Sequence, residues 1–221
     1  MLTVHHLNNS RSQRILWLLE ELEVPYRIER YERDPKTNLA PDSLKAVHPL
    51  GRSPVLEFED GSKMAESGAI VEYIIHQYGA GSFTVPSDKK VYQDYLFWLH
   101  FAEGSLMPPL VASLVFKKAK QKSPALIRPL AAKILDAIMD NYYGPNLNQS
   151  LRYVESYLSK NDWFAGDAPS AADVQMSFPL EALVARENAS KWTAINAYIK
   201  RIHNRDAYQR GLEKGGEYDY A

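Results

Sequence analysis

Two short stretches carry the residue types that would hold a small peptide. Arg52-Ser53-Pro54 stands at the mouth of an apolar run, Val55, Leu56 and Phe58. Proline donates nothing to a β-ladder, so it belongs at a strand start or edge. If the Ser53–Pro54 bond is cis, the chain turns sharply and Ser53 presents its own N–H and C=O outward. Such a pair can hold a peptide backbone as an added strand. Further on, Glu66-Ser67 opens a helix. The Ser67 hydroxyl and the free N–H groups of that first turn suit a carboxylate. Glu66 beside it suits an ammonium group. Taken singly, Ser67 reads as an N-cap, Glu66 as a first-turn charge and Ser53-Pro54 as an ordinary turn. Taken together, one hairpin offers a peptide-backbone clamp, a carboxylate seat and an ammonium partner.

The elements that must position these groups are legible on either side. Asp60-Gly61 is a hairpin turn signal, and Lys63 to Ala65 reads as the return strand. The helix after Glu66 has Ile70, Val71, Ile74, Ile75 and Tyr78 on one face. Upstream, Leu2 to Leu7 reads as a strand and Asn8-Asn9-Ser10 as a turn. A helix then runs from about Ser12, with Ile15, Leu18, Leu19 and Leu22 on its apolar face, until Pro25. Tyr26 to Tyr31 reads as a half-buried strand, parallel to the first. A polar loop, Arg33 to Pro41, and a short helix, Asp42 to Val47, lead to the hairpin. The order β-α-β-α-β-β-α over residues 1–79 is that of a thioredoxin-like α/β domain. Residues 80–88 read as a linker.

Residues 89–221 read as an all-α domain. Val91 to Met107 is aromatic at helical spacing, and Pro108-Pro109 is expected to kink or break that helix. Helices are expected over Leu110 to Lys122, Leu126 to Tyr142, Asn148 to Ser159 and Trp192 to Ile202. Ser170 with Asp173 three residues on has the spacing of a capping box. It precedes an apolar helix with Val174, Met176, Phe178, Leu180 and Leu183, expected at the centre of the domain. Asp206 onward reads as peripheral.

Composition narrows the chemistry. The formal charge is −1 in 221 residues, which gives no support for nucleic acid or an anionic membrane as partner. No secretory signal and no run approaching the roughly 18 apolar residues of a membrane span are read, so a cytoplasmic protein is expected. There is no cysteine, which excludes disulfides, thiolate–zinc sites, cysteine nucleophiles and dithiol redox chemistry. Any thiol must come with the ligand. His5 and His6 are neighbours on a strand and point to opposite faces, and no metal-ligand spacing occurs.

Gly51-Arg52-Ser53-Pro54-Val55-Leu56, followed by Glu66-Ser67-Gly68-Ala69-Ile70, resembles the glutathione-binding half of the cytosolic glutathione transferase family. The segment from Trp163 to Asp173 resembles its helical-domain capping motif, so the likeness spans nearly the whole chain. The resemblance implies an enzyme that adds the glutathione thiol to small hydrophobic electrophiles, a role in detoxification, and a homodimer. It implies glutathione as co-substrate and no metal. Ser53 would pair with the cysteinyl backbone, Arg52 would reach the ligand, and Glu66 and Ser67 would hold the γ-glutamyl end. His48 and Lys45 are candidates for the glycyl carboxylate.

A free thiol has a pKa near 8.5, so a donor aimed at the sulfur is needed to hold the thiolate at neutral pH. In the family that donor lies just after the first strand, a Tyr or a Ser. Here the loop is Asn8-Asn9-Ser10-Arg11-Ser12, with no Tyr, which resembles the serine-type bacterial and fungal members. The family's serine falls nearer Asn9 than Ser10, a departure from the pattern. Ser10 is the first candidate, Asn9 the second and Ser12 the third, with Arg11 assisting. The electrophile pocket is expected between the domains, lined by Tyr95, Trp98, Phe101, Glu103 and Met107. Glutathione-dependent peroxide reduction or isomerisation at the same site, and a non-catalytic glutathione-fold binding module, are the alternatives.

Overall fold

A computed structural model describes residues 1–87, 90–186 and 189–221. The expected linker end at Asp88 and the following Lys89 lie outside the described residues. The first part of the chain runs β1 (Leu2–Leu7), α1 (Ser12–Glu21), β2 (Tyr26–Tyr31), α2 (Asp42–Val47), β3 (Val55–Glu57), β4 (Lys63–Ala65) and α3 (Ser67–Tyr78). The sheet order is β2-β1-β3-β4. β1 and β2 are parallel, with Leu2 opposite Tyr26, while β3 lies antiparallel to both β1 and β4. This is the thioredoxin-like arrangement expected from the sequence. Ile15, Leu18 and Leu19 of α1 and Ile70, Val71 and Ile74 of α3 are fully buried in the core with Val4 and Leu56.

The rest is helical: α4 (Lys90–Phe101), α5 (Met107–Lys122), α6 (Arg128–Ile138), α7 (Gly144–Leu158), α8 (Ala171–Arg186), α9 (Thr193–His203) and α10 (Asp206–Gly215). Two expected breaks are absent. A π turn at Ala102–Leu106 joins α4 to α5, and another at Met139–Tyr143 joins α6 to α7. Both immediately precede the prolines, Pro108-Pro109 and Pro145. A proline ring clashes with the carbonyl four residues back and brings no N–H, and a widened turn there relieves both faults. The result is a continuous Lys90–Lys122 helix of 33 residues. By length and composition alone one window of it is apolar enough to cross a membrane, while His100, Glu103, Gly104 and Ser105 interrupt any unbroken apolar run.

α8 is the central helix. Asp173, wholly buried, accepts hydrogen bonds from the Ser170 N–H (2.8 Å) and hydroxyl (3.0 Å), the Phe164 N–H (3.0 Å) and the Tyr198 hydroxyl (3.1 Å). Burial nevertheless raises its carboxyl to about 6. The segment after Asp206, expected to be peripheral, is instead packed on α1. Its contact face is Ala207, Tyr208, Gly211 and Gly215. A Cβ on Gly211 would sit 3.2 Å from the Trp17 backbone nitrogen, so the glycine is what lets the two helices meet.

Candidate functional site

A cavity of about 690 Å³ opens at the C-terminal end of β1, walled by Ser10, Arg52, Ser53, Pro54, Glu66 and Ser67. The Ser53–Pro54 bond is cis. Ser53 is tied to β1 at two points: its hydroxyl donates to the His5 carbonyl at 2.9 Å and accepts the Leu7 N–H at 3.1 Å. These bonds fix the segment beside the strand.

At the other wall Glu66 has φ +73°, a conformation a side-chain-bearing residue adopts only at a cost. It delivers the chain directly into α3. Among the described residues no side chain caps α3, so its positive end faces the cavity open to an anion. The Ser67 hydroxyl does not cap either: it accepts from Arg14 Nη1 at 3.2 Å. Arg14 was not singled out from the sequence, because α1 announces itself by its apolar face. Its guanidinium is fully buried and is held by Glu103 Oε1 (2.9 Å) and by Gln175. Arg11 Nε meets the same carboxylate at 2.9 Å. Burial lowers the Arg14 guanidinium from its ordinary value, against the opposing pull of Glu103. Burial would raise the Glu103 carboxyl, but Arg14 and Arg11 outweigh it and hold it below the usual range.

At the head of the cavity Ser10 is 5% exposed. Its Oγ lies 2.8 Å from Ser12 Oγ and 3.4 Å from Ser53 Oγ. Ser12 Oγ in turn lies 2.8 Å from His6 Nδ1. Burial, then the charge of Arg30, lowers His6 to about 4, so the ring is neutral at pH 7. His5 faces the other side of the strand, toward Tyr31 and Glu57.

A second cavity, of about 450 Å³, adjoins the first and shares Arg11, Arg33 and Val111 with it. Met107, Leu110, Leu114, Phe178 and Tyr220 line it. Of the residues expected to form an electrophile pocket, Met107 is there and Glu103 lines the first cavity. Tyr95, Trp98 and Phe101 lie off both cavities. Trp98 packs among Phe101, Tyr153, Tyr157 and Phe164, where the aromatic spacing of α4 builds core. Asn9 lines the second cavity, not the first. Lys45 lines the first cavity, with its ammonium 2.7 Å from Asp42. His48 lies outside both walls, its Nδ1 accepting the Leu50 N–H at 3.3 Å. Phe178 and Tyr220 gave no local signal: one belongs to an all-round apolar helix and the other to a charged tail.

Comparison with known proteins bears on the family and the fold. The family model for the glutathione S-transferase N-terminal domain matches residues 10–77, and that for the C-terminal domain matches residues 136–206. Glutathione S-transferase 3 of Schizosaccharomyces pombe is 35% identical over 97% of this chain and 88% of its own. Glutathione S-transferase 1 of Saccharomyces cerevisiae is 36% identical over 97% of this chain and 95% of its own. A glutathione S-transferase from Actinobacillus pleuropneumoniae has the same fold, with TM-score 0.81 and 30% identity over 100% of this chain and 95% of its own. On sequence and on fold, across both parts of the chain, this protein belongs to the glutathione S-transferase family.

Proposed function

We propose that this chain conjugates the thiol of glutathione to small electrophiles, in a detoxifying role. Glutathione lies in the first cavity, on residues 1–79, with its cysteinyl backbone against Ser53. Its γ-glutamyl group lies at Glu66, Ser67 and the start of α3, and its glycyl end toward Lys45 and Arg52. The observation that carries the reading is the convergence on one cavity of a backbone clamp, an uncapped helix N-terminus and the Ser10 hydroxyl. The electrophile enters the second cavity, across the shared wall of Arg11 and Arg33. Ser10, rather than Asn9, donates to the thiolate, because the Asn9 amide is engaged elsewhere.

The reading includes a homodimer in the cytoplasm. The support for the dimer is α6, which has no buried residue while Leu130, Ile134 and Ile138 form an exposed apolar stripe at helical spacing.

Titrating glutathione while following thiolate absorbance against pH tests the central claim. A bound thiol pKa below 8.5 that Ser10→Ala raises by about one unit supports it. Binding with an unshifted pKa overturns the catalytic reading, and absence of binding overturns the assignment of the first cavity.

A further inference from the structure

The second cavity pairs an apolar floor with a cationic rim. Met107, Leu110, Leu114 and Phe178 make the floor. Lys117 and Lys118, about two turns beyond Leu110 and Val111 on α5, line the cavity together with Arg11 and Arg33. Asp219 is the carboxylate in this wall, and its Oδ2 already accepts from the Asn9 amide at 2.8 Å. Among the described residues neither Lys117 nor Lys118 has a carboxylate partner. A neutral apolar substrate would use the floor and gain nothing from the rim. A charge held in a cleft with low-dielectric walls feels the opposite sign more strongly than on an open surface.

We infer that the second cavity takes an amphipathic anionic electrophile, with an aromatic or alkenyl body on the floor and a carboxylate at Lys117 and Lys118. This rests on the transferase reading of the adjoining thiol site. With 4-chloro-3-nitrobenzoate as probe, the thiolate sulfur bonds to the ring carbon and chloride leaves with the C–Cl electron pair.

The test compares that substrate with neutral 1-chloro-2,4-dinitrobenzene, in wild-type protein and in the Lys117→Gln/Lys118→Gln double variant. Binding of 8-anilinonaphthalene-1-sulfonate is compared in parallel with that of its uncharged analogue N-phenyl-1-naphthylamine. The ratio of kcat/KM, anionic over neutral, is expected to fall about tenfold in the double variant, and the ratio of probe affinities to fall alike. Turnover of both substrates with both ratios unchanged overturns the inference and leaves the transferase reading standing. A shifted probe ratio without turnover of either substrate does the reverse.

A separate set of contacts assigns a role to His6. Ser10 Oγ accepts the Ser12 backbone N–H at 3.2 Å and has Ser12 Oγ 2.8 Å away. If the Ser12 hydroxyl donates to Ser10, both acceptor sites of Ser10 are filled and its own proton is left to donate. Its acceptor within the protein, Ser53 Oγ at 3.4 Å, is a long one. That orientation requires Ser12 to accept from His6 Nδ1–H at 2.8 Å and to donate to Ser10 at 2.8 Å in preference to the Leu7 carbonyl at 3.3 Å. The opposite tautomer would draw the Ser12 proton to His6 and the Ser10 proton to Ser12, leaving none for a sulfur.

We infer that His6 is a positioning residue whose Nδ1–H sets the direction of the Ser12–Ser10 hydroxyl chain toward the thiolate. In His6→Phe and in Ser12→Ala the bound-glutathione thiol pKa is expected to rise by about one unit, tenfold in the ionisation constant. His6→Asn, whose amide N–H can stand where Nδ1–H does, is expected to restore the wild-type value. If neither His6→Phe nor Ser12→Ala moves the thiol pKa while Ser10→Ala does, the chain is not directed by His6. If Ser10→Ala moves nothing, the donor assignment falls and this role with it.

Discussion

Asn9 and Asp219, 210 residues apart, exchange two hydrogen bonds. The Asn9 amide donates to Asp219 Oδ2, and the Asp219 backbone N–H donates to Asn9 Oδ1, each at 2.8 Å. The pair closes the tail over the second cavity beside Tyr220. Asp219→Ala should therefore raise KM for the electrophile several-fold, while the thiol pKa of bound glutathione stays where it is. Steady-state kinetics alongside the absorbance titration separates the two readouts; a lowered thiol pKa would show that the Asn9 amide, once freed, reaches the sulfur.

Glu103, in the wall of the first cavity, bridges Arg11 and Arg14. Glu103→Gln removes the carboxylate from a guanidinium with no exposed side-chain surface. Breaking a buried pair costs about 3–5 kcal/mol. Glu103 keeps about a third of its exposure, so a loss nearer ~2 kcal/mol is expected, read from the urea midpoint.

His6 makes stability depend on pH in a definite direction. Its folded pKa, about 4, lies below the ordinary 6.5, so the unfolded chain binds the extra proton. The stabilisation is complete above pH 6.5 and is lost as pH falls toward 4. Asp173, raised to about 6 from 3.8, runs the other way: its contribution falls as pH rises through that range. The wild-type slope therefore mixes the two, and a difference isolates His6. From pH 7 to pH 5, wild type should lose ~2 kcal/mol relative to His6→Asn. Parallel slopes in the two proteins would contradict a buried neutral His6.

The exposed stripe of α6 makes a further claim. Leu130→Glu/Ile134→Glu places charge at two positions 63% and 54% exposed in the single chain. Surface substitutions cost little when they touch nothing. If the stripe is a dimer face, sedimentation velocity should show monomer at concentrations where wild type is dimeric. An unchanged sedimentation coefficient would remove the stripe from the interface.

The glutathione half was legible because its chemistry is nearly contiguous. Arg52 to Pro54 and Glu66-Ser67 lie on one hairpin, and local turn signals fix that hairpin. The thiol donor was only partly legible: what separates Ser10 from Asn9 is a contact with Asp219 at the far end of the chain. Tyr95, Trp98 and Phe101 lie off both cavities for a different reason. Aromatic spacing on α4 marks a packed face, and periodicity does not say whether that face meets core or ligand. α10 was missed because half of its contact face is glycine, which carries no hydrophobic signal yet lets backbones approach.

The π turn at Ala102–Leu106 holds one residue more than an α-helical turn would. Deleting a residue there, Gly104 for instance, would leave an ordinary α turn with α5 in its present phase, whereas deleting one from the regular turns of α4 would rotate everything downstream on α5 by roughly 100° about the helix axis. Met107, Leu110, Leu114, Lys117 and Lys118 would then swing away from the first cavity together. The pairing of the two cavities thus has a phase, set by a single codon. The turn absorbs one extra residue locally, and the lining of the second cavity keeps its phase to the first.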